Sequence, residues 1–350
     1  MSRRENVEEN LISKVSVNRT DCKQRRNVGC KVLYRFVELV RERQPLVECI
    51  TNFVTVNDCA NILLAAGASP TMSHDAREVE ESVTAVQALV CNLGALDRIE
   101  SMILAGKKAN ELGIPVVFDP VGAGATTLRR ESSARLLEEV KFAAIRGNAS
   151  EIRALAEWSD LNRYKVKSCE AEHISSGTVK CKNEAIGSGV DVGKADAITE
   201  GNLDQSVRWI EKFAHETGAV IAVSGVIDVV SDGATTVVLR GGCPVMNRIT
   251  GSGCMLTALI AAFCGVVKVK GQGQATSDSQ QENDNSETEN FLSAVCAAIA
   301  AMGICGELAD ERRLYNGTGN ATFRNDLIDA VFNLNEEQFK EKIRYEIYKR

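Results

Sequence analysis

ALVCNLGALDRIESMILAGKKANELGIPVVFD, residues 88–119, decides the architecture. It opens and closes on short apolar, β-branched runs, ALVCNL (88–93) and IPVVFD (114–119). Between them, 97–112 carries the helical period. Ile99, Met102, Ile103, Ala109 and Leu112 share one face, and Arg98, Glu100, Lys107, Lys108 and Glu111 share the other. A strand–helix–strand unit whose strands are apolar throughout predicts parallel pairing, with helices covering both sheet faces. Further runs of the same kind lie on either side: LVECI (46–50), FAAIR (142–146), AVIAVS (219–224), IDVVS (227–231) and TTVVLR (235–240). The last two flank Ser231-Asp232-Gly233 and read as a hairpin that adds an antiparallel element. The fold class expected is α/β, with a mostly parallel central sheet between two helical layers.

Composition narrows the function before any motif is read. The 350 residues are 44% hydrophobic and 25% charged, which excludes disorder, collagen and coiled coil as whole-chain descriptions. With 41 basic against 47 acidic residues the net charge is −6, and no basic stripe appears, so nucleic acid is not an expected partner. Twelve cysteines stand far apart without a C-x-x-C pair, beside only three histidines. A structural zinc site is disfavoured and a reducing compartment is expected. No apolar run reaches the roughly 18 residues of a membrane span, and the acids of MSRRENVEENLISK argue against a targeting peptide. The expected location is the cytoplasm, away from membranes.

Residues 1–30 are polar and read as a poorly ordered arm. Residues 31–350 are expected to form a single domain with surface insertions at about 159–195 and 271–290. The second of these, GQGQATSDSQQENDNSETEN, holds five acids and no base and reads as a disordered loop. Helical patterns follow at 291–309, 323–333 and 336–347.

Three stretches carry chemistry at strand or helix ends. TGSGCMLTALIAAFCG (250–265) places Gly251 and Gly253 ahead of an apolar helix. Glycines there let backbone N–H groups approach a phosphate, and the helix dipole adds about half a positive charge; a plain helix cap is the bland alternative. Cys254 falls in the first turn, where its pKa would be lowered, or it packs. VVFDPVGAGAT (116–126) ends a strand at Asp119, where open parallel sheets bind ligands and a metal could bridge to phosphate. A turn-capping aspartate is the competing account. RGNASEI (146–152) also follows a strand, and Asn148 and Glu151 could face one site if a helix starts there. Earlier, Asn52, Asn57 and Asn61 punctuate an apolar path, and GASPTMSH (67–74) reads as a rigid small-residue loop presenting Met72. Caps and packing, or a small weakly polar ligand, would each explain them. The P-loop, G-x-G-x-x-G, G-x-S-x-G and H-E-x-x-H patterns are absent.

Taken in order, ITN (50–52), GASPTM (67–72), DPVGAGAT (119–126), RGN (146–148) with Glu151, and TGSGC (250–254) resemble the hydroxyethylthiazole kinase family of the ribokinase-like superfamily. The resemblance covers about 43–268 and resumes from 291. It implies ATP-dependent phosphorylation of the hydroxyl of 4-methyl-5-(2-hydroxyethyl)thiazole, in thiamine salvage, with Mg²⁺ and in homotrimers with sites between subunits. Carried over by motif, Asn52, Met72 and Gly251 bind the thiazole, and Arg146, Ser224 and Asn148 contact ATP. Asp119 and Glu151 organise magnesium. Gly251 and Gly253 form the anion hole, and Cys254 stands where related sugar kinases have their catalytic Asp. GTGNATF (317–323) departs from the family's usual Gly-Pro-Gly-Ser-Phe. The rivals are other ribokinase-like ATP enzymes: hydroxymethylpyrimidine kinase, which would share the strand-end motifs, and NAD(P)H-hydrate dehydratase, which has Asp at the Cys254 place. An ATP-binding sensor would lack the strand-end acids.

Overall fold

The computed structural model describes residues 28–157, 197–268 and 290–349. Along the chain these form α1 (Cys30–Arg43), β1 (Leu46–Ile50), α2 (Val56–Ala66), β2 (Ser69–Thr71), α3 (Val79–Val83), β3 (Ala88–Asn92), α4 (Ile99–Leu112), β4 (Val116–Asp119), α5 (Thr127–Glu139) and β5 (Ala144–Asn148). Helical residues 149–157 make α6. The second half holds α7 (Leu203–Thr217), β6 (Val220–Ser224), β7 (Asp228–Ser231), β8 (Thr236–Leu239), α8 (Ser252–Cys264), α9 (Phe291–Asn316), α10 (Asn320–Asn333), α11 (Glu336–Lys342) and β9 (Tyr345–Ile347).

Nine strands form one sheet in the order β2-β1-β3-β4-β5-β6-β7-β8-β9. The pairs from β2 through β6 are parallel, and the pairs from β6 to β9 are antiparallel. This bears out the expected mostly parallel sheet, and the β7–β8 hairpin is where the Ser-Asp-Gly turn put it.

Strand side chains alternate, so each strand feeds two cores. Val90, Val117, Ala144 and Ala222 pack under α1, α2, α8 and α9. Leu89, Val116, Phe118, Ile145 and Ile221 pack under α4, α5, α6 and α7. Phe118 stacks on Phe142 there, with ring centroids 4.9 Å apart. Helix α8 is apolar all round and buried from Met255 through Cys264. A helix without a polar face belongs inside.

Several expectations need correction. GASPTMSH is not wholly a loop: Ser69–Thr71 pairs with β1 as the sheet's edge strand. The pattern over 336–347 breaks after Lys342, and Tyr345–Ile347 pairs with β8 instead. Ile343 after α11 is extended, and the apolar spacing of Tyr345 and Ile347 serves a strand as well as a helix. Leu112 ends α4 half exposed instead of on its buried face. α9 is long and apolar enough to cross a membrane, although no such run was expected; 83% of its apolar window is buried in the protein. Most of the expected arm lies outside the described residues, but Val28 is buried and Cys30 opens α1. The insertion at 159–195 also lies outside them, as does 271–289; Asn290 caps α9 by accepting the Ser293 N–H.

Candidate active site

Strand parity builds the site. The alternation that turns Val90, Val117, Ala144 and Ala222 toward α8 continues at the carboxyl ends of the same strands to Asn92, Asp119, Arg146 and Ser224. Asn92 and Asp119 are register partners, as are Asn148 and Ser224. Ligands of open parallel sheets bind at this end.

Above the row sits the start of α8. Gly251 caps it at φ +80°, and its first intrahelical bond runs from Met255 N–H to Gly251 O. The amides of Ser252, Gly253 and Cys254 therefore lead the helix as donors toward any anion. Both glycines lie at close approaches. A Cβ on Gly251 would lie 2.6 Å from Thr55 Cγ2, and one on Gly253 would lie 2.5 Å from Arg146 Nη1.

Arg146 reaches from β5 to this turn. It donates through Nη2 to Ser224 Oγ, while its Nε is buried with no hydrogen-bond partner among the described residues. A buried donor on a cation costs free energy until it meets an acceptor. Its charge acts on three buried carboxylates. Asp119 is raised above the usual carboxylate range by burial, against the pull of Arg146, Thr257, Cys254 and Asn92. Glu151 is pushed up to about 7 by burial and by the charge of Asp119. Asp228, at the start of β7, is also pushed up to about 7 by burial.

Glu151 stands at the first turn of α6, as the RGNASEI reading required. Its Oε1 accepts the Gly122 N–H at 2.8 Å and its Oε2 the Asn148 N–H at 2.9 Å, and Asn148 Oδ1 takes the Glu151 N–H in return. This reciprocal cap fixes both residues. Arg129 braces the DPVGAGAT turn by donating to Val121 O at 2.6 Å.

Cys254 is the correction within the site. Burial and the neighbouring Asp119 push its thiol up, not down, so these outweigh the helix dipole. Asn92 organises its surroundings. Asn92 Nδ2 donates to Asp119 Oδ2 at 3.0 Å and toward Cys254 Sγ at 3.2 Å, and its Oδ1 accepts from Gly94 N at 2.9 Å and Asn52 Nδ2 at 3.3 Å. Asn52 also donates toward Cys254 Sγ at 3.6 Å, and its Oδ1 caps the turn into α2 by accepting from Val54 and Thr55 N–H. Thr257 Oγ1 donates to Asp119 Oδ2 at 2.9 Å.

Asn52, Asp119, Arg146, Asn148, Glu151, Ser224, Gly251, Gly253 and Cys254 are thus joined through contacts at one end of the sheet. Met72 follows the edge strand β2 and packs against the α8-side core. Asn57 and Asn61 are not part of the cluster: Asn61 Nδ2 bonds the Asn57 carbonyl along α2. The sequence reading passed over Asn92, Thr257 and Asp228. Asn92 ends an apolar strand just as Asp119 does, so the same signal was present. Thr257 is a lone hydroxyl one turn after Gly253, and Asp228 a lone acid opening an apolar strand.

A half-buried cation below a glycine-fronted helix start, at the carboxyl edge of a mostly parallel sheet, is the arrangement of a ribokinase-like α/β protein. Residues 37–203 and 181–281 match the model of the hydroxyethylthiazole kinase family. A hydroxyethylthiazole kinase from Clostridium acetobutylicum is 42% identical over 89% of this chain and 98% of its own length. One from Clostridium tetani is 38% identical over 89% of this chain and 96% of its own. The solved structure of the Pyrococcus horikoshii OT3 hydroxyethylthiazole kinase protein is similar at a TM-score of 0.70 and 31% identity, covering 91% of this chain and all of that one. The chain belongs to the hydroxyethylthiazole kinase family.

Proposed function

We propose that this protein transfers the γ-phosphoryl group of ATP to the primary hydroxyl of 4-methyl-5-(2-hydroxyethyl)thiazole, as a salvage step of thiamine synthesis. The observation that carries the reading is Arg146: a half-buried guanidinium whose buried Nε has no hydrogen-bond partner among the described residues, against the Gly253 turn where α8 presents its leading amides. That combination suits transferred phosphate oxygens, whose charge is stabilised chiefly by fixed donors.

In this reading Asn52, Met72 and Gly251 hold the thiazole, and Arg146, Ser224 and Asn148 hold the nucleotide. Gly251 and Gly253 keep the anion hole open. The hydroxyl oxygen bonds to the γ-phosphorus as the bond to the β,γ-bridging oxygen breaks, and ADP leaves with that electron pair. Cys254 lies among these groups as a neutral thiol, because burial and Asp119 oppose its ionisation. Its part is to shape the acceptor side and to relay the hydroxyl proton late, taking it as its own proton goes to an oxygen of the transferred phosphoryl group, after most of the P–O bond to ADP has loosened.

Asp119 and Glu151 fit a magnesium ion. Both acids are buried and raised above the usual carboxylate range, Glu151 in part by the charge of Asp119, and a bound cation would favour their ionised forms. Mg²⁺ is commonly held by one or two carboxylates with phosphates and waters. When bound it would neutralise charge on the β- and γ-phosphates. Asp119 and Glu151 would hold the ion, Glu151 while its two oxygens accept the Gly122 and Asn148 N–H groups.

The reading extends to one domain over residues 31–350, a cytoplasmic location and a homotrimer with sites between subunits, as the family resemblance implies. One coupled assay tests the reaction: the thiazole alcohol, hydroxymethylpyrimidine and hydrated NADH offered separately with ATP and Mg²⁺. Phosphorylation of the thiazole alcohol alone is the expected result. Preference for either other substrate refutes the reading.

A further inference from the structure

Glu48 interrupts the apolar run of β1 and is completely buried. Parity turns it away from the Asn52–Cys254 cluster, onto the face shared by Ile50 and Leu89. The catalytic arrangement makes no use of it. Its partner across the β1–β2 ladder is Thr71, the residue before Met72. The backbone N–H of Ser73, the residue after Met72, favours its charged form. Ser82 of α3 donates its hydroxyl to Oε2, and Oε1 is buried with no hydrogen-bond partner among the described residues. The flanking charges oppose each other, Glu78 disfavouring and His74 favouring ionisation.

A buried carboxyl with acceptor capacity unmet adds nothing to stability; an apolar side chain of similar volume would serve a core strand better. What Glu48 does supply is a tie between two elements that are otherwise weakly anchored. β2 is a three-residue edge strand, and α3 is five residues long, held mainly by Val79 and Val83.

We infer that Glu48 is a positioning residue for the acceptor pocket, its carboxyl held to α3 by Ser82 while its strand pairs at Thr71 with the segment that leads to Met72, and so fixing the Met72 wall from behind. This rests on the reading of Met72 as part of the thiazole pocket. Glu48 touches no reacting atom. Its loss therefore loosens the wall and leaves the phosphoryl centre, on the other sheet face, intact.

The test is steady-state kinetics on Glu48→Leu, Glu48→Gln, Ser82→Ala and Met72→Ala, with thiazole alcohol and ATP varied separately. Glu48→Leu should raise the KM for the thiazole alcohol about tenfold, the scale set by losing a hydrogen bond to a charged group. kcat and the KM for ATP should stay as in the wild type. Glu48→Gln, which keeps an acceptor for Ser82, should restore most of the loss, and Ser82→Ala should move the same constant in the same direction by less. A merely structural role would lower kcat or the active fraction and give no such split. If Met72→Ala raises the thiazole KM while Glu48→Leu does not, the role of Glu48 is overturned; should Glu48→Leu fail to fold, an unmoved KM in Ser82→Ala overturns it. An unmoved KM in Met72→Ala overturns the pocket reading instead.

Discussion

Glu151→Gln should change how stability depends on pH more than it changes stability itself. Burial and the charge of Asp119 hold the Glu151 proton to about pH 7 in the folded protein, against 4.5 for an ordinary glutamate. The folded chain therefore binds this proton more tightly than the unfolded chain. Stability is full below pH 4.5 and declines as pH climbs to about 7, because ionisation is resisted only in the folded state. Each pKa unit is worth about 1.4 kcal/mol, so this group accounts for about 3 kcal/mol of decline. Asp228, also held at about 7, adds a decline of the same sign that the substitution leaves in place. The amide has one acceptor oxygen where the carboxylate has two, so the N–H of Gly122 or of Asn148 loses its partner. That loss costs about 1–3 kcal/mol and is the same at every pH. Urea midpoints for both proteins, taken in chelator from about pH 4.5 to 8, separate the two parts. The curve of the variant should be lower but shallower by about 3 kcal/mol. Parallel curves would refute the assignment of that burial cost to Glu151. Adding Mg²⁺ and nucleotide should flatten the wild-type curve, since a cation favours the ionised acid.

Cys254→Asp should retain phosphoryl transfer, and Cys254→Ser or Cys254→Ala should lose roughly ten- to a thousandfold in kcat. Because burial and Asp119 raise the thiol, iodoacetamide should label Cys254 slowly at neutral pH; rapid labelling would contradict this. Asn92→Leu removes the donors to both Asp119 and Cys254 and should lower kcat about a hundredfold, the scale of misplaced groups; a wild-type kcat would show that those contacts do not position the site. Gly253→Ala collides only with the mobile tip of Arg146, so it should fold normally but raise the KM for ATP. Gly251→Ala meets Thr55 at a positive φ and should lower Tm instead; equal melting temperatures for the two variants would refute the distinction.

Much of the fold could be read from the chain because parallel strands buried on both faces leave a strong mark. LVECI, ALVCNL, IPVVFD and AVIAVS each became a strand within two residues of the run. The failures were at the sheet edges. Ser69–Thr71 and Tyr345–Ile347 are three-residue strands specified by a neighbour's open edge and not by their own pattern, and local sequence carries little of such tertiary information. Within the site, Asp119 was legible since its strand-end position marked it, whereas Arg146 entered through the family resemblance. The sense of the Cys254 shift was not. Whether the helix dipole or burial prevails depends on how deeply α8 is seated and on the nearness of Asp119, facts of packing that the motif TGSGC does not contain.

The two buried acids that the motifs did not flag make the same point from opposite sides. Asp228 interrupts IDVVS as Glu48 interrupts LVECI, each a charge inside an apolar run. In a sheet with two cores, such a residue faces one helical layer or the other according to parity. Asp228 is within reach of the Arg146 charge and, two residues before Val230, shares the sheet face of α8 and α9. Glu48 lies a position out of phase with Val47 and Cys49, and so falls behind the pocket among the residues of α3. Parity along a strand therefore sorts these two acids between the helical layers, Asp228 onto the face of Arg146 and Glu48 onto the face of α3. Glu48→Leu and Arg146→Met should accordingly separate in kinetics, the first raising the KM for the acceptor and the second the KM for the nucleotide. Both variants moving the same constant would break the division.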